Sequence, residues 1–254
     1  MDKMERRAWT RDELLLAINL YCKTPFGRIH IHNPEIVELA KIINRTPGSV
    51  SYKLANFASI DPSLDRKGAS NVSKLDRQVW NDFFENWDLM MEESESKMQK
   101  AKTNDAIEPE TEELFVKESL ERQRLTKTRV NQSLFRQMVL SSYDNKCCIT
   151  GLDIPELLIA SHIVPWAGDA KNRLNPRNGL CLNALHDRAF DTGLITLDKD
   201  FHVVASKKLG RSRNSGLNHV LIQNYVGKKI SLPSRFLPDQ SFLEFHRQNV
   251  FRSQ

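Results

Sequence analysis

The stretch from 156 to 196, "ELLIASHIVPWAGDAKNRLNPRNGLCLNALHDRAFDTGLIT", constrains the fold of this chain more than any other. A short apolar run ends near His162, a polar loop follows, and "NPRNG" supplies a turn into the brief apolar run "LCL". "NALHDRAF" then reads as the start of a helix. With "CCITG" before it, the segment predicts a β-hairpin with a long turn, a further short strand and a helix, a β–β–α unit. Such a unit sets polar groups at a strand end against one face of a helix.

The residues at those positions suit one kind of chemistry. Asp187 and Asp191 are four apart, so on a helix both carboxylates lie on one face, one turn from each other. Converging carboxylates suit a hard divalent cation, Mg²⁺ first and Mn²⁺ as the alternative. His186 adjoins them as a further ligand or phosphate contact. A neutral imidazole opposite such a cation can take a proton from water near pH 7, while the cation stabilises charge on a phosphate and its departing oxygen. These are the parts for hydrolysing a phosphodiester.

Upstream the pattern is helical. Thr10 and Glu13 form a capping-box pair ahead of "LLLAINLYC". Asn33–Pro34 opens "PEIVELAKII", and Thr46–Pro47 opens "PGSVSYKLANF" after the short break "NRT". A fourth helix starts at Ser73, with Leu75, Val79, Phe83 and Trp87 as its buried stripe. Two helices joined by a tight turn fit a helix-turn-helix, and "WTRDELLLAINLY" with "INRTPGSVSYKLANF" resembles Myb-like and related modules. That arrangement offers Arg45, Ser49, Ser51, Tyr52, Lys53 and Asn56 to a duplex. The plainer alternative is a small helical bundle.

Between 91 and 125 the composition turns to Glu, Lys, Gln and Ser, which predicts a solvated, partly helical linker. The expected organisation is a helical DNA-contacting module over 1–90, this linker, and a third part over 126–254. Charge is uneven: 13 basic against 12 acidic residues in 1–88, 6 against 10 in 89–125, and 18 against 10 in 126–254. The basic excess of the last part points to an anionic partner, nucleic acid above all.

Four cysteines, Cys22, Cys147, Cys148 and Cys181, contain no C-x-x-C pair, so structural zinc and a disulfide framework are not expected, and buried thiols are. The start lacks the apolar core of a secretory signal and no run is long enough to span a membrane, so the cytoplasm and no membrane partner are expected.

The combination "CCITG…ASHIVPW…NPRNGLCLNALHDRAFDTGLIT" resembles the HNH (ββα-metal) endonucleases, in particular the bacterial restriction-type branch without structural zinc. The likeness extends to "RVNQSLFR" and "LPSRFLPDQSFLEFHRQNVF", roughly 126 to 251, with its core at 145–197. It implies an α+β chain with a helical helix-turn-helix-like domain, a linker and a C-terminal HNH nuclease domain. By resemblance His162 is the general base and Asn178 the residue that braces the loop orienting it. Asp187 falls on the last ligand position, Asp191 on an extra ligand position, and His186 beside them. Two departures stand out: Ser161 holds a position where Asp or His commonly ligates metal, and Asp187 replaces His or Asn. Arg173, Arg177 and Arg188 flank the site as candidate phosphate contacts.

The function expected is a metal-dependent endonuclease acting on double-stranded DNA, of restriction or anti-phage type, with a requirement for modified DNA as one form of it. One site per chain favours a homodimer for cutting both strands. The competing expectation is a catalytically inactive, HNH-like DNA-binding regulator. An RNA-directed nuclease is disfavoured, because no aromatic stacking platform with basic flanks is visible.

Overall fold

The computed structural model describes residues 7–62, 64, 71–103, 131–166, 168–210, 216, 220 and 222–253. The chain divides into two compact units, Met1–Leu134 and Phe135–Gln254. The segments 104–125 and 126–130, which include most of the expected linker and Val130, lie outside the described residues.

The first unit is a helical bundle built around α1, Arg11–Lys23, whose residues from Glu13 to Cys22 are all buried. The Thr10 hydroxyl accepts from the Glu13 N–H and the Glu13 carboxylate accepts from the Thr10 N–H, so the predicted capping box is present. α2 (Pro34–Ile42) and α3 (Pro47–Ile60) start on side-chain caps from Asn33 and Thr46. The turn between them is a Schellman motif: Arg45 N–H donates to the Ala40 carbonyl, Asn44 N–H to Lys41, and Asn44 takes φ of 50°. α4 (Lys74–Glu85) is capped by Ser73, and Val79, Trp80 and Phe83 are buried. Trp80 packs edge-on to Tyr21 and stacks near Phe57, with centroids 5.7 and 5.8 Å apart.

The first part of the span expected as a partly helical linker is helical and packed. α5 runs Trp87–Thr103 and lies along α1. Met90, Met91 and Ser94 are buried, and Lys97 pairs with Asp12 at 2.9 Å. A narrow apolar stripe with charged flanks thus suffices to pack a helix whose composition reads as solvated.

A helix over 131–142 (α6) leads into the second unit, where it buries Phe135, Met138 and Val139. β1 (Leu158–His162) and β2 (Gly179–Asn183) pair antiparallel, with His162 opposite Gly179 and Leu158 opposite Asn183. β2 runs directly into α7, Ala184–Asp191. α7 leaves through Gly193 at φ 70°, where Leu194 N–H reaches the Ala189 carbonyl, and enters the hairpin β3 (Ile195–Leu197) and β4 (Val203–Ala205). α8, Gln240–Asn249, closes the unit.

"CCITG" is not a strand. Gly151 N–H donates to the Cys147 carbonyl and Gly151 takes φ of 75°, so the segment is a closed turn held to β2 by Cys148 N–H on the Cys181 carbonyl. The β–β–α unit is therefore β1, β2 and α7. All four cysteines are buried. Among the described residues no helix is long and apolar enough to cross a membrane.

Candidate active site

β1 ends at His162, and three neighbours fix its ring. Phe135 from α6 stacks on it, with centroids 3.7 Å apart and planes 10° apart, and Trp166 meets it edge-on at 5.4 Å. Nε2 lies 3.0 Å from the Arg173 carbonyl oxygen. A carbonyl only accepts, so Nε2 carries the hydrogen and Nδ1 of the neutral ring keeps its lone pair. Burial lowers the imidazole pKa below its ordinary value, against a smaller opposing effect of the Arg173 carbonyl, so the neutral form is favoured. Opposite His162, a Cβ on Gly179 would lie 2.4 Å from a Val139 methyl and 2.9 Å from the Phe135 ring. Only glycine lets α6 come close enough to lay Phe135 on the histidine.

Asn178 ends the short turn Pro176–Asn178 and is 1% exposed. Its Oδ1 accepts from Val164 N–H at 2.8 Å, and its Nδ2 donates to the Val164 and Asn172 carbonyls at 3.2 and 3.4 Å. Its own carbonyl accepts from Ile163 N–H. One carboxamide thus ties both ends of the loop whose Arg173 carbonyl holds His162.

On the other side, Asn183 caps α7 by accepting from both the backbone N–H and Nδ1–H of His186. His186 is buried and meets Tyr225 edge-on at 5.4 Å. The structure thus places this expected ligand among the packing of the helix start, on α7's buried side with Ala189 and Phe190.

Asp187 and Asp191 occupy the more open face. Burial raises the Asp187 pKa, with the Ser161 hydroxyl and the Arg188 charge opposing. Asp191, nearer solvent, is raised by partial burial and then by the Asp187 charge. Ser161 Oγ is buried and, among the described residues, has no well-aligned hydrogen-bond partner, yet it lies against Asp187 closely enough to favour that carboxylate. Ser161, Asp187 and Asp191 are therefore brought together.

His162 is linked to them through the strand. Consecutive strand residues address opposite faces, so Ser161 meets α7 while His162 meets α6. Among the described residues no group of three or more His, Cys, Asp or Glu side chains is arranged to hold a metal. What converges is two mutually repelling carboxylates and a hydroxyl lacking a well-formed partner. All are hard oxygen donors, and the set fits a small divalent cation that retains solvent ligands.

The flanking arginines differ. Arg173 Nε donates to the Trp166 carbonyl and its guanidinium lies 5.3 Å from the Trp166 ring centre, beside His162. Arg177 pairs with Asp239 at 2.9 Å. Arg188 is exposed next to Asp187.

Three of the residues expected to face a duplex, Arg45 in the turn before α3 and Lys53 and Asn56 within α3, are engaged internally. Arg45 forms an ion pair with Glu13 at 2.9 Å, donates to the Ala8 carbonyl and covers Trp9. Lys53 is buried, with Nζ 2.9 Å from both oxygens of a fully buried Asp76. Asn56 is 2% exposed and donates to the Asn71 carbonyl. These groups hold the bundle together and do not face outward. Ser49 is half-buried with its N–H on Thr46, while Tyr52 is 49% exposed.

Phe135, Gly179 and Trp166 shape the histidine's surroundings and were not singled out by the sequence. The signal for Gly179 was its place in "NPRNG", which reads as an ordinary turn but faces an approaching helix. His246, treated below, left no local signal at all.

No curated protein matches the chain. Residues 147–198 match the family described as HNH endonuclease. β1, the loop with Asn178, β2 and α7 all fall within that stretch.

Proposed function

We propose that the protein is a metal-dependent DNA endonuclease that hydrolyses phosphodiester bonds. The observation that carries this reading is the state of His162: its Nε2–H is tied to the Arg173 carbonyl, which leaves Nδ1 as the proton acceptor at a strand end one residue from Ser161 and its acidic neighbours.

In this reading the scissile phosphate lies across the end of β1. His162 Nδ1 takes the proton from the attacking water. Asn178 acts through the loop, holding the Arg173 carbonyl where it fixes the ring. Arg188 and Arg173 contact phosphate oxygens. Asp187 and Asp191, with Ser161, would hold a divalent cation, Mg²⁺ or Mn²⁺, which supplies charge stabilisation at the phosphate and the departing 3′-oxygen. The net charge of +8 over 126–254 (18 basic against 10 acidic residues) supports a polyanionic substrate. Substrate selection by the first unit rests on Tyr52 and Ser49, since Arg45 and Lys53 are engaged internally. A reader joined to a cutter suits a restriction or anti-phage role, by analogy of architecture.

A second reading is a catalytically silent, HNH-type DNA-binding subunit. It is favoured by Ser161 where an acid or histidine would ligate, together with the absence of a three-ligand group among the described residues. Supercoiled plasmid and genomic DNAs differing only in base modification, incubated with Mg²⁺ or Mn²⁺ and with EDTA as control, separate the two. Cleavage abolished by EDTA supports the endonuclease. Stable DNA binding with every substrate left intact supports the silent subunit.

A further inference from the structure

α8 lies beyond the stretch that matches the HNH family, yet it is joined to both arms of the candidate site. At its start Asp239 caps the helix by accepting from Ser241 N–H, donates its own N–H to the Arg177 carbonyl at 3.0 Å, and pairs with the Arg177 guanidinium. Arg177 immediately precedes Asn178, the residue that braces the His162 loop.

Near its end His246 is buried and stacks on Phe190 of α7, with centroids 3.7 Å apart and planes 12° apart. Its Nε2 lies 3.1 Å from the Phe190 carbonyl and its Nδ1 2.9 Å from Thr196 Oγ1. Because the carbonyl can only accept, Nε2–H donates to it and Nδ1 accepts from the Thr196 hydroxyl. Burial brings the imidazole pKa down to about 4, so this one tautomer persists at neutral pH. The Phe190 carbonyl belongs to the last turn of α7 and immediately precedes Asp191.

The chain after α8 adds a third tie. Arg252 N–H donates to the Gly193 carbonyl, and a Cβ on Gly193 would lie 2.1 Å from the Val250 carbonyl oxygen. The exit turn of α7 is therefore pressed directly against the backbone that follows α8.

We infer that α8 is a positioning element of the site, and that His246, by holding the Phe190 carbonyl, is a positioning residue that sets where Asp187 and Asp191 lie relative to the loop that holds His162. The catalytic consequence rests on the endonuclease reading, whereas the mechanical link does not. The link to Asp191 runs through the N–H donated to the Phe190 carbonyl.

The test compares full-length protein with His246→Leu, which keeps bulk and loses the donor, and His246→Gln, whose amide N–H can reach the same carbonyl. Amide hydrogen exchange over 184–194 and plasmid cleavage are measured well below the unfolding midpoint of each variant. The Leu variant is expected to exchange at least tenfold faster over 184–194 and to lose tenfold or more in kcat with little change in KM; the Gln variant recovers most of both. Unchanged exchange in the Leu variant overturns the inference. So does a loss that is equal in both variants and follows only their unfolding midpoints. If the parent protein cuts no DNA, the endonuclease reading falls and the exchange measurement alone decides the mechanical link.

Discussion

Asn178 and Val164 are clasped by two hydrogen bonds, Val164 N–H to Oδ1 at 2.8 Å and Nδ2–H to the Val164 carbonyl at 3.2 Å. The carboxamide supplies both the donor and the acceptor from one side-chain end. Asn178→Asp keeps the acceptor and loses the donor, and Asn178→Ala loses both. The expected cost is about 1–3 kcal/mol per buried group left without a partner. Cleavage should show a fall in kcat larger than any rise in KM, because the loop that holds His162 loosens while the DNA contacts persist. Thermal unfolding and steady-state kinetics on the two variants check this.

Gly179→Ala should disturb the histidine without touching it. The new methyl would sit 2.4 Å from Val139 and 2.9 Å from Phe135, forcing α6 away from the hairpin. Overpacking of this kind costs about 1–3 kcal/mol. Phe135→Leu relieves only the contact with Phe135 and leaves that with Val139, so the double variant should recover part of the stability but not activity, since the stacking partner of His162 is gone. Unfolding midpoints and cleavage rates across the cycle read this out.

Lys53→Met should act on stability and not on DNA recognition. It leaves Asp76 fully buried without its cation, a loss of about 3–5 kcal/mol for a broken buried pair. Tyr52→Ala changes an exposed side chain and should shift stability by no more than about 0.5 kcal/mol while weakening DNA association. Denaturant titration beside DNA binding at several salt concentrations separates the two effects.

Acid should destabilise the first unit through Glu13. Burial raises its pKa, but hydrogen bonds from Arg45, Thr10 and Arg7 outweigh this and bring it from 4.5 to about 2. A carboxyl lowered in the folded state contributes stability that is fully present above 4.5 and is lost as pH falls towards about 2. Glu13→Gln should flatten that part of the stability–pH curve, as measured by unfolding between pH 5 and about 2.

What the sequence made legible was local. Thr10, Asn33, Thr46 and Ser73 all cap the helices they precede, because a cap needs only the next three residues. His162 closing a strand, Asn178 in a turn and Asp187 with Asp191 on one helix face were readable for the same reason. Ion pairs and close approaches between distant segments were not. Lys53 looked like a surface cation because nothing near it announces Asp76, 23 residues on. His186 sat in an acidic, ligand-rich string, but the helix turns it inward onto Asn183 and Tyr225. "CCIT" carries strand-like residues, yet Gly151 folds it back on itself. α5 carries too few apolar residues to stand out, and its stripe becomes visible only against α1.

The most direct test of the account is cleavage of plasmid by His162→Ala beside the parent protein, at saturating Mg²⁺ and across pH. The parent should cut with an acidic limb below the ordinary imidazole value of 6.5, because burial lowers the pKa of this ring. The variant should retain DNA binding and lose about 10²–10⁴-fold in kcat, the contribution of a positioned general base. A variant that cuts as fast as the parent would contradict the assignment of His162 as the group that activates water.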